Sequence, residues 1–146
     1  MSKAPPTAAE VAAQVREIYR ELAQRPLARH CIGRTECCQF QLTGKTPFIT
    51  RGEAVVAWQG LRASGRKNLP ERPQGSCPML KPDGKCMIYE HRPFGCRTHF
   101  CKAAGGPAPR ELVRDLIQRL EQIDACLGGS GGVNLPAAMA HPPALK

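Results

Sequence analysis

Eight cysteines occur in this chain of 146 residues, and seven of them lie in two segments rich in turn-forming residues. Cysteine thiolates can bind zinc or an iron-sulfur cluster, act as nucleophiles, or pair as disulfides. The compartment and the spacing of the cysteines decide between these kinds of chemistry. The seven candidate site residues are Cys31, Cys37, Cys38, Cys77, Cys86, Cys96 and Cys101.

The N-terminal sequence "MSKAPPTAAEVAAQVREIYREL" has no apolar stretch after a basic start and no small-residue cleavage site, so it does not predict a secretory signal. No stretch approaches the roughly 18–20 consecutive apolar residues that span a bilayer. We therefore expect a cytoplasmic protein without a membrane partner. Thiols stay reduced in the cytoplasm, so the cysteines favour metal binding over a disulfide framework.

The spacing of the cysteines does not by itself name a metal. The chain has neither the two-residue spacing of zinc-finger pairs nor the bacterial ferredoxin run. Adjacent side chains in extended backbone point to opposite faces, so only one of Cys37 and Cys38 is expected to bind a given metal. The other would serve a second metal, a redox partner or packing. Cys126 falls on or beside the apolar stripe of a predicted helix and is expected to be a buried small hydrophobe.

The segment "CPMLKPDGKCMIYEHRPFGCR", from Cys77 to Arg97, resembles the second half of the YkgJ-type cysteine-cluster family of zinc- or iron-chelating proteins. That family's hallmark is a CxxCxxCC run followed by such a segment. Cys31, Cys37 and Cys38 match the first, third and fourth cysteines of the run, whereas Arg34 occupies the second position. The resemblance covers residues 31 to about 101 and includes the helix start "TRGEA" between the two halves.

The resemblance implies a thiolate site for an iron-sulfur cluster or zinc. The first expectation is four ligands: Cys77, Cys86, Cys96 and either Cys37 or Cys38. Cys31 and Cys101 are then outer candidates, as further ligands of a larger cluster, a nearby thiol pair or a second, smaller site.

The residues around these cysteines have expected supporting roles. His91 and His99 could replace a thiolate, although a histidine in such a loop more often makes hydrogen bonds. Arg92 and Arg97 are expected to donate hydrogen bonds to thiolates or to backbone carbonyls. Aromatic side chains are expected to pack over the site and limit its contact with water; they are Tyr89, Phe94 and Phe100.

The formal net charge of +9 raises the question of nucleic-acid binding. The basic residues are spread along the chain, with modest clusters in "RASGRK" and among the cysteines. A centre with four thiolates and a divalent metal carries about two net negative charges, which nearby Arg and Lys would offset. A solvated basic surface with local compensation is therefore favoured over nucleic-acid binding, which stays the minor alternative.

Hydrophobic periodicity predicts three helices, at residues 7–24, from Thr50 until Ser64 and Gly65 end it, and at about 110–127. Thr7 with Glu10, and Thr50 with Glu53, have the spacing of capping boxes. Residues 77–101 are predicted to form turns, since Pro93 prevents an unbroken helix between Cys86 and Cys96. The expected fold is mainly α, a small single domain of about three helices with an irregular cysteine-rich metal-binding loop region.

Domain boundaries follow from composition: a flexible N-terminus at 1–6, the metal-binding domain at 7–127 and a flexible Gly/Pro-rich tail at 128–146. Only seven residues are aromatic, so metal ligation is expected to help organise a thin core.

The expected function is a metal-binding protein with a redox or electron-transfer role and an unidentified protein or redox partner. No motif identifies an enzyme. The alternatives are a thiol-based redox enzyme and a metal-stabilised basic interaction module.

Overall fold

The computed structural model describes residues 6–25, 48–65, 88–98 and 110–140. This part of the chain is a small, mainly helical domain. Its elements in chain order are α1 (Ala8–Ala23), β1 (Phe48–Ile49), α2 (Arg51–Ala63), a 3-10 turn (Tyr89–His91), α3 (Phe94–Thr98), a 3-10 turn (Arg110–Leu112), α4 (Arg114–Cys126), β2 (Val133–Asn134) and α5 (Leu135–Ala138). The mainly α fold predicted from the sequence is confirmed.

The first two helices begin where the sequence predicts. The Thr7 hydroxyl accepts a hydrogen bond from the backbone N–H of Glu10 and so caps α1. Thr50 and Glu53 form the predicted capping box at the start of α2. Gly65 follows α2 with φ of 89°, a left-handed conformation that favours glycine and ends the helix.

Helices α1, α2 and α4 pack against one another, and α2 lies between two hydrophobic clusters. Cluster A lies where α1, α2, α4 and Phe94 meet. Its buried members are Val11, Ala12, Val15, Ile18, Tyr19, Leu22, Val55, Val56, Phe94, Val113, Leu116 and Leu120. Cluster B joins the other side of α2 to Ile88 and the C-terminal elements. Its buried members are Ile49, Ala54, Ala57, Trp58, Leu61, Ile88, Leu135 and Met139.

The start of the third long helix and the exposure of Cys126 differ from the prediction. Leu112 lies in the 3-10 turn before α4 and is 48% exposed, whereas Val113 is buried. Cys126, expected to be buried, is exposed. The residue four positions after buried Leu120 is Asp124, which is itself buried. Cys126 comes two positions after Asp124, about 200° further around the helix, so its side chain points away from the core.

The segment after α4 contains a short strand and a short helix that its composition did not predict. The sequence predicts a flexible tail from residue 128, yet β2 pairs antiparallel with β1 and α5 packs on cluster B. Leu135 and Met139 are fully buried. Apolar side chains separated by four residues therefore bury this segment despite its Gly and Pro content. Residues 1–5 and 141–146, also expected to be flexible, lie outside the described residues.

Pro93 acts as predicted. The chain makes a 3-10 turn at Tyr89–His91 and restarts as α3 after Pro93, so no continuous helix precedes Cys96. The short helix α3 differs from the expectation of turns alone. Within the described ranges, no helix has the length and apolar character needed to cross a membrane.

Candidate metal centre

Cys96 is the one predicted metal ligand that the structure describes. Its side chain is partly buried, and it lies on α3. The other predicted ligands lie outside the described residues, as does His99. Those cysteines are Cys31, Cys37, Cys38, Cys77, Cys86 and Cys101.

The backbone around Cys96 is fixed by its own hydrogen bonds. The N–H groups of Cys96 and Arg97 donate to the carbonyl oxygen of Pro93, at 3.1 and 3.2 Å. Pro93 therefore occupies the position that starts α3, and its restricted φ suits that place. The side chain of Cys96 is carried by a short, closed turn instead of an open loop.

Two arginines donate hydrogen bonds to backbone carbonyls of this turn, one of the two kinds of acceptor expected for them. The guanidinium of Arg97 donates from Nε to the carbonyl of Arg92 at 2.7 Å, and from Nη2 to that of Glu90 at 2.9 Å. Arg92 Nη1 donates to the carbonyl of Cys96 at 3.5 Å. The Arg97 guanidinium also lies over the Tyr19 ring, 4.1 Å from its centroid. These contacts tie the Cys96 turn to α1 and place two cationic side chains close to it.

Glu53 anchors the Cys96 turn to α2. Its Oε2 accepts a hydrogen bond from the backbone N–H of Phe94 at 2.6 Å and one from the Tyr19 hydroxyl at 3.3 Å. Its Oε1 accepts from the backbone N–H and hydroxyl of Thr50 at 3.3 and 3.0 Å. Burial raises the pKa of Glu53, and the hydrogen bonds from Phe94, Thr50 and Tyr19 partly oppose that effect.

Sequence reasoning identified Glu53 only as a capping residue. Its spacing from Thr50 is visible along the chain, because the two residues are three positions apart in the first turn of one helix. Its contacts with Tyr19 and Phe94 join three distant segments, and nothing local in the sequence indicates them. The missing signal was burial: Glu53 is 3% exposed, although charged residues are rarely buried unless paired.

His91 makes hydrogen bonds in the described structure, the role expected for a histidine in such a loop. Its Nδ1 lies 3.2 Å from Nη1 of Arg16, and Nη2 of the same guanidinium donates to Gln59 Oε1 at 2.9 Å. Because a guanidinium can only donate, Nδ1 of His91 must accept, which requires an unprotonated Nδ1. Burial, followed by the charges of Arg16 and Arg97, lowers the pKa of His91.

Gly60 allows the 3-10 turn that precedes Cys96 to lie directly on α2. A Cβ at Gly60 would come within 2.6 Å of His91 Cδ2. Ile88 packs beside this contact as a member of cluster B. The turn is therefore seated on α2 by close packing as well as by hydrogen bonds.

The aromatic cover expected over the site is described only for Phe94. Its side chain is 5% exposed and belongs to cluster A, where it packs with residues of α1, α2 and α4. Phe94, two residues before Cys96, therefore anchors the start of α3 in the core. The side chain of Tyr89, and Phe100, lie outside what the structure describes.

The described residues include one predicted thiolate ligand, Cys96, and do not by themselves form a complete metal site. Within residues 6–25, 48–65, 88–98 and 110–140, no three His, Cys, Asp or Glu side chains are grouped to hold a metal. The side chain of Cys96 has a soft sulfur donor, and the cationic side chains of Arg92 and Arg97 lie nearby, an environment that favours a thiolate. One buried donor, Trp58 Nε1, also has no hydrogen-bond partner in the described part of the chain.

A sequence model of one protein family, "CxxCxxCC: Putative zinc- or iron-chelating domain", matches residues 30–121. The chain belongs to the CxxCxxCC family. Metal binding, of zinc or iron, is its general function, and the cysteine segments assigned by resemblance lie within the matched range. No curated protein and no solved structure matches the chain.

The CxxCxxCC segment contains α2, α3 and most of α4, whereas α1 lies before it. Tyr19 and Arg16, which contact Glu53 and His91, therefore come from outside the family segment. The C-terminal elements β2 and α5 also lie outside it and cover cluster B. Flanking segments of this chain thus complete the packing around the residues that support Cys96.

Proposed function

We propose that the chain holds an iron-sulfur cluster or zinc through cysteine thiolates and has a redox or electron-transfer role. The four ligands of the proposal are Cys77, Cys86, Cys96 and one of Cys37 and Cys38. Cys31 and Cys101 are then further ligands or a nearby thiol pair. A reducing cytoplasm, where thiolates stay available for metals, is the compartment that the proposal requires.

The anchoring of Cys96 is the observation that carries the proposal. Its turn is held by the Glu53–Phe94 hydrogen bond and by Arg97, and Phe94 packs into cluster A. A ligand carried by such a fixed turn loses little further conformational freedom when it binds a metal. Membership of the CxxCxxCC family supplies the chemical class of the bound ion.

The energetics also support metal as a structural component. Binding of a structural zinc in small domains contributes about 10–16 kcal/mol. Ordering one backbone residue costs about 1–2 kcal/mol, so coordination can offset the ordering of several loop residues, and helix packing must contribute the rest. Removal of metal is therefore expected to loosen the cysteine-rich segments before the helices.

The decisive experiment is purification of the protein without air, followed by metal analysis and a visible absorption spectrum. Iron with sulfide and broad visible absorption would identify a cluster, whereas zinc without visible absorption would identify a zinc site. Anaerobic protein that contains neither metal, cannot be loaded with either and yet stays folded would contradict the proposal. A single fast-reacting thiol in that metal-free protein would favour the alternative of a thiol-based redox enzyme.

A further inference from the structure

The side chain of His91 joins the 3-10 turn at Tyr89–His91 to two helices. Nδ1 of its imidazole lies 3.2 Å from Nη1 of Arg16 in α1, and Nη2 of the same guanidinium donates to Gln59 of α2 at 2.9 Å. The imidazole also lies on Gly60 of α2, where a Cβ would come within 2.8 Å of three carbon atoms of His91. One side chain therefore connects the turn to α1 by a hydrogen bond and to α2 by close packing.

The hydrogen bond from Arg16 decides where the imidazole of His91 carries its proton. A guanidinium only donates, so Nδ1 accepts and the proton of the neutral ring lies on Nε2. A metal binds a ring nitrogen that has a lone pair to offer. While Arg16 occupies Nδ1, neither nitrogen of His91 has such a lone pair, and the residue acts as a hydrogen-bond acceptor that holds the turn.

Protonation of His91 breaks this contact. An imidazolium carries a proton on both nitrogens and cannot accept from Arg16. The charged groups that act on the ring are Arg16 of α1, Arg97 of α3 and the exposed Glu90 of its own turn, whereas α2 presents the uncharged Gln59. Burial and the two cations lower the pKa of His91, and Glu90 opposes them. The closed arrangement therefore suits only the neutral ring.

Movement of the ring or of Arg16 alone does not remove the repulsion in protonated His91. Packing on Gly60 leaves the ring little room to move toward α2. A swing of the Arg16 side chain would give up its bond to Gln59 and would leave the charge of Arg97 in place. Relief therefore requires the turn itself to move away from α1 and α2.

Burial of Ile88 keeps the turn closed while His91 is neutral. Ile88 is 2% exposed and belongs to cluster B, and its carbonyl accepts a 2.7 Å hydrogen bond from the backbone N–H of His91. Opening of the turn exposes this apolar side chain to water, which is unfavourable. The balance between that burial and the charge on His91 sets how often the turn opens.

We propose that residues 88–92 form a latch that opens when His91 takes up a proton, while α1, α2 and α4 stay packed in cluster A. Two backbone carbonyls of this segment accept hydrogen bonds from Arg97. Opening removes both of them and so loosens the turn that carries Cys96. The latch depends on the fold alone, so this inference goes beyond the proposed function and requires no bound metal.

Amide hydrogen exchange at His91 measures the opening, because this N–H is hydrogen-bonded inside the latch. The observed rate, divided by the intrinsic rate at the same pH, gives the equilibrium constant for opening. In the open latch the imidazole has an ordinary pKa of about 6.5, whereas in the closed latch its pKa is lower, so protons favour opening. We expect the constant to rise by up to about tenfold between pH 7.5 and 5.5. A constant that stays the same, as when only the Arg16 side chain moves, would overturn the inference.

Low concentrations of urea separate opening of the latch from unfolding of the whole domain. Local opening exposes little surface and responds weakly to urea, whereas global unfolding responds strongly. Below the unfolding transition, we expect urea to accelerate exchange at Val56, which is buried within α2, and to leave exchange at His91 nearly unchanged. The same urea dependence at both amides would assign the exchange to global unfolding and contradict the latch.

His91→Gln keeps an acceptor for Arg16 and removes the titrating ring. The chain has four histidines, and the other ones are retained in this variant. We therefore expect the opening constant at residue 91 to become nearly independent of pH. The same acid-induced rise in the variant would show that another group drives the opening, which would exclude His91 as the sensor.

Arg16→Gln tests the charge that opposes protonation, and Arg114→Gln is its matched control. Both changes remove one positive charge, but Arg114 is exposed on α4. We expect Arg16→Gln to raise the pKa of His91, measured by NMR titration of the ring, and to reduce the acid-induced rise in opening. Arg114→Gln should change neither. Equal shifts in the two variants would assign the effect to net charge and refute the role of Arg16 in the latch.

Discussion

The backbone N–H of Phe94 donates a 2.6 Å hydrogen bond to Oε2 of Glu53, 41 residues earlier in the chain. Glu53 belongs to the capping box of α2, and Phe94 is the first residue of the helix that carries Cys96. The buried carboxylate of Glu53 therefore caps the N-terminus of α2 and also holds the N-terminus of α3 against α2. The position of a candidate ligand depends on it directly.

We expect Glu53→Gln to destabilise the protein by about 2–4 kcal/mol. An amide has a single acceptor oxygen, so its NH2 group must face either Phe94 N–H and the Tyr19 hydroxyl or the two donors of Thr50. Each buried donor left unpaired costs about 1–3 kcal/mol, less what relaxation recovers. Urea denaturation measures the loss, and hydrogen exchange at the Phe94 amide should accelerate.

Glu121→Gln is the matched control for this change. Glu121 is exposed on α4, so the same chemical substitution there should alter the free energy of unfolding by no more than about 0.5 kcal/mol. Tyr19→Phe removes only the 3.3 Å bond and should fall between the two variants. Equal stability of Glu53→Gln and Glu121→Gln would show that the Glu53 contacts contribute nothing.

Asp124→Asn should detach the C-terminal elements from α2. Asp124 Oδ1 accepts from the backbone N–H of Arg51 at 2.8 Å, and Oδ2 accepts from that of Gly131 at 2.9 Å. Asparagine can serve only one of these donors, and loss of such a helix cap costs about 1–2 kcal/mol. We expect that loss in chemical denaturation and faster amide exchange at Met139, which the segment after Gly131 carries into cluster B.

Asp115, which forms an exposed ion pair with Arg25, is the control for the substitution of buried Asp124. Asp115→Asn removes a carboxylate whose side chain is 60% exposed, and exposed ion pairs contribute about 0–1 kcal/mol. Its effect on stability should therefore be smaller, and the exchange rate at Met139 should not change. A larger loss from Asp115→Asn than from Asp124→Asn would contradict the role assigned to the buried carboxylate.

The stability of the protein should depend on pH through His91. Burial and the charges of Arg16 and Arg97 lower the pKa of this imidazole in the folded state, and Glu90 opposes them. On acidification the unfolded chain, with an ordinary histidine pKa of about 6.5, therefore binds the proton first. The stabilising contribution of neutral His91 is complete above about pH 6.5 and is lost as the pH falls through the lower folded pKa.

His91→Gln isolates this contribution, because an amide oxygen can still accept from Arg16 but does not titrate in this range. We expect the difference in free energy of unfolding between the unmodified protein and the variant to be constant from pH 7 to 8. Below about pH 6.5 the unmodified protein should lose stability relative to the variant. Urea denaturation across this range tests the sign, and a relative gain for the unmodified protein at acidic pH would refute it.

The features predicted correctly from the sequence depend on neighbouring residues. The Thr7 and Thr50 caps and the interruption at Pro93 each involve contacts within a few positions along the chain. Burial of Asp124 and the pairing of β1 with β2 depend instead on segments that are distant in sequence. That is why the sequence did not predict the short strand and helix after residue 128, and why it predicted the burial of Cys126 wrongly.

In the candidate site too, contacts between neighbouring residues were predicted from the sequence and contacts between distant segments were not. Arg97 was expected to donate to thiolates or to backbone carbonyls, and the two carbonyls to which it donates lie within seven residues of it. The tertiary contacts of Glu53 with Tyr19 and of His91 with Arg16 have no local signature. The chemical class of the site is therefore visible in the cysteines and their immediate neighbours, whereas the residues that hold the site in place are visible only in the fold.

Cys96 and Cys126 offer a direct test of which thiols bind metal. We expect Cys96→Ser, like Cys86→Ser, to lower bound metal at least tenfold, because a hydroxyl replaces a thiolate ligand and even loss of a partner to a ligand costs 10–100-fold. Cys126→Ser should leave the metal content unchanged, since Cys126 is exposed at the end of α4. Metal analysis after anaerobic purification measures all three, and equal content in all three would contradict the ligand assignment.

Cys96 and Cys126 should also differ in how fast they react with a thiol reagent in metal-loaded protein. In metal-loaded protein, a maleimide reagent should modify Cys126 at once, because its side chain is exposed. Cys96 should react only after a chelator removes the metal, since a metal-bound thiolate is shielded from the reagent. Mass spectrometry of the digested protein assigns each site. Rapid labelling of Cys96 in fully loaded protein would remove it from the ligand set and leave the centre to the other cysteines.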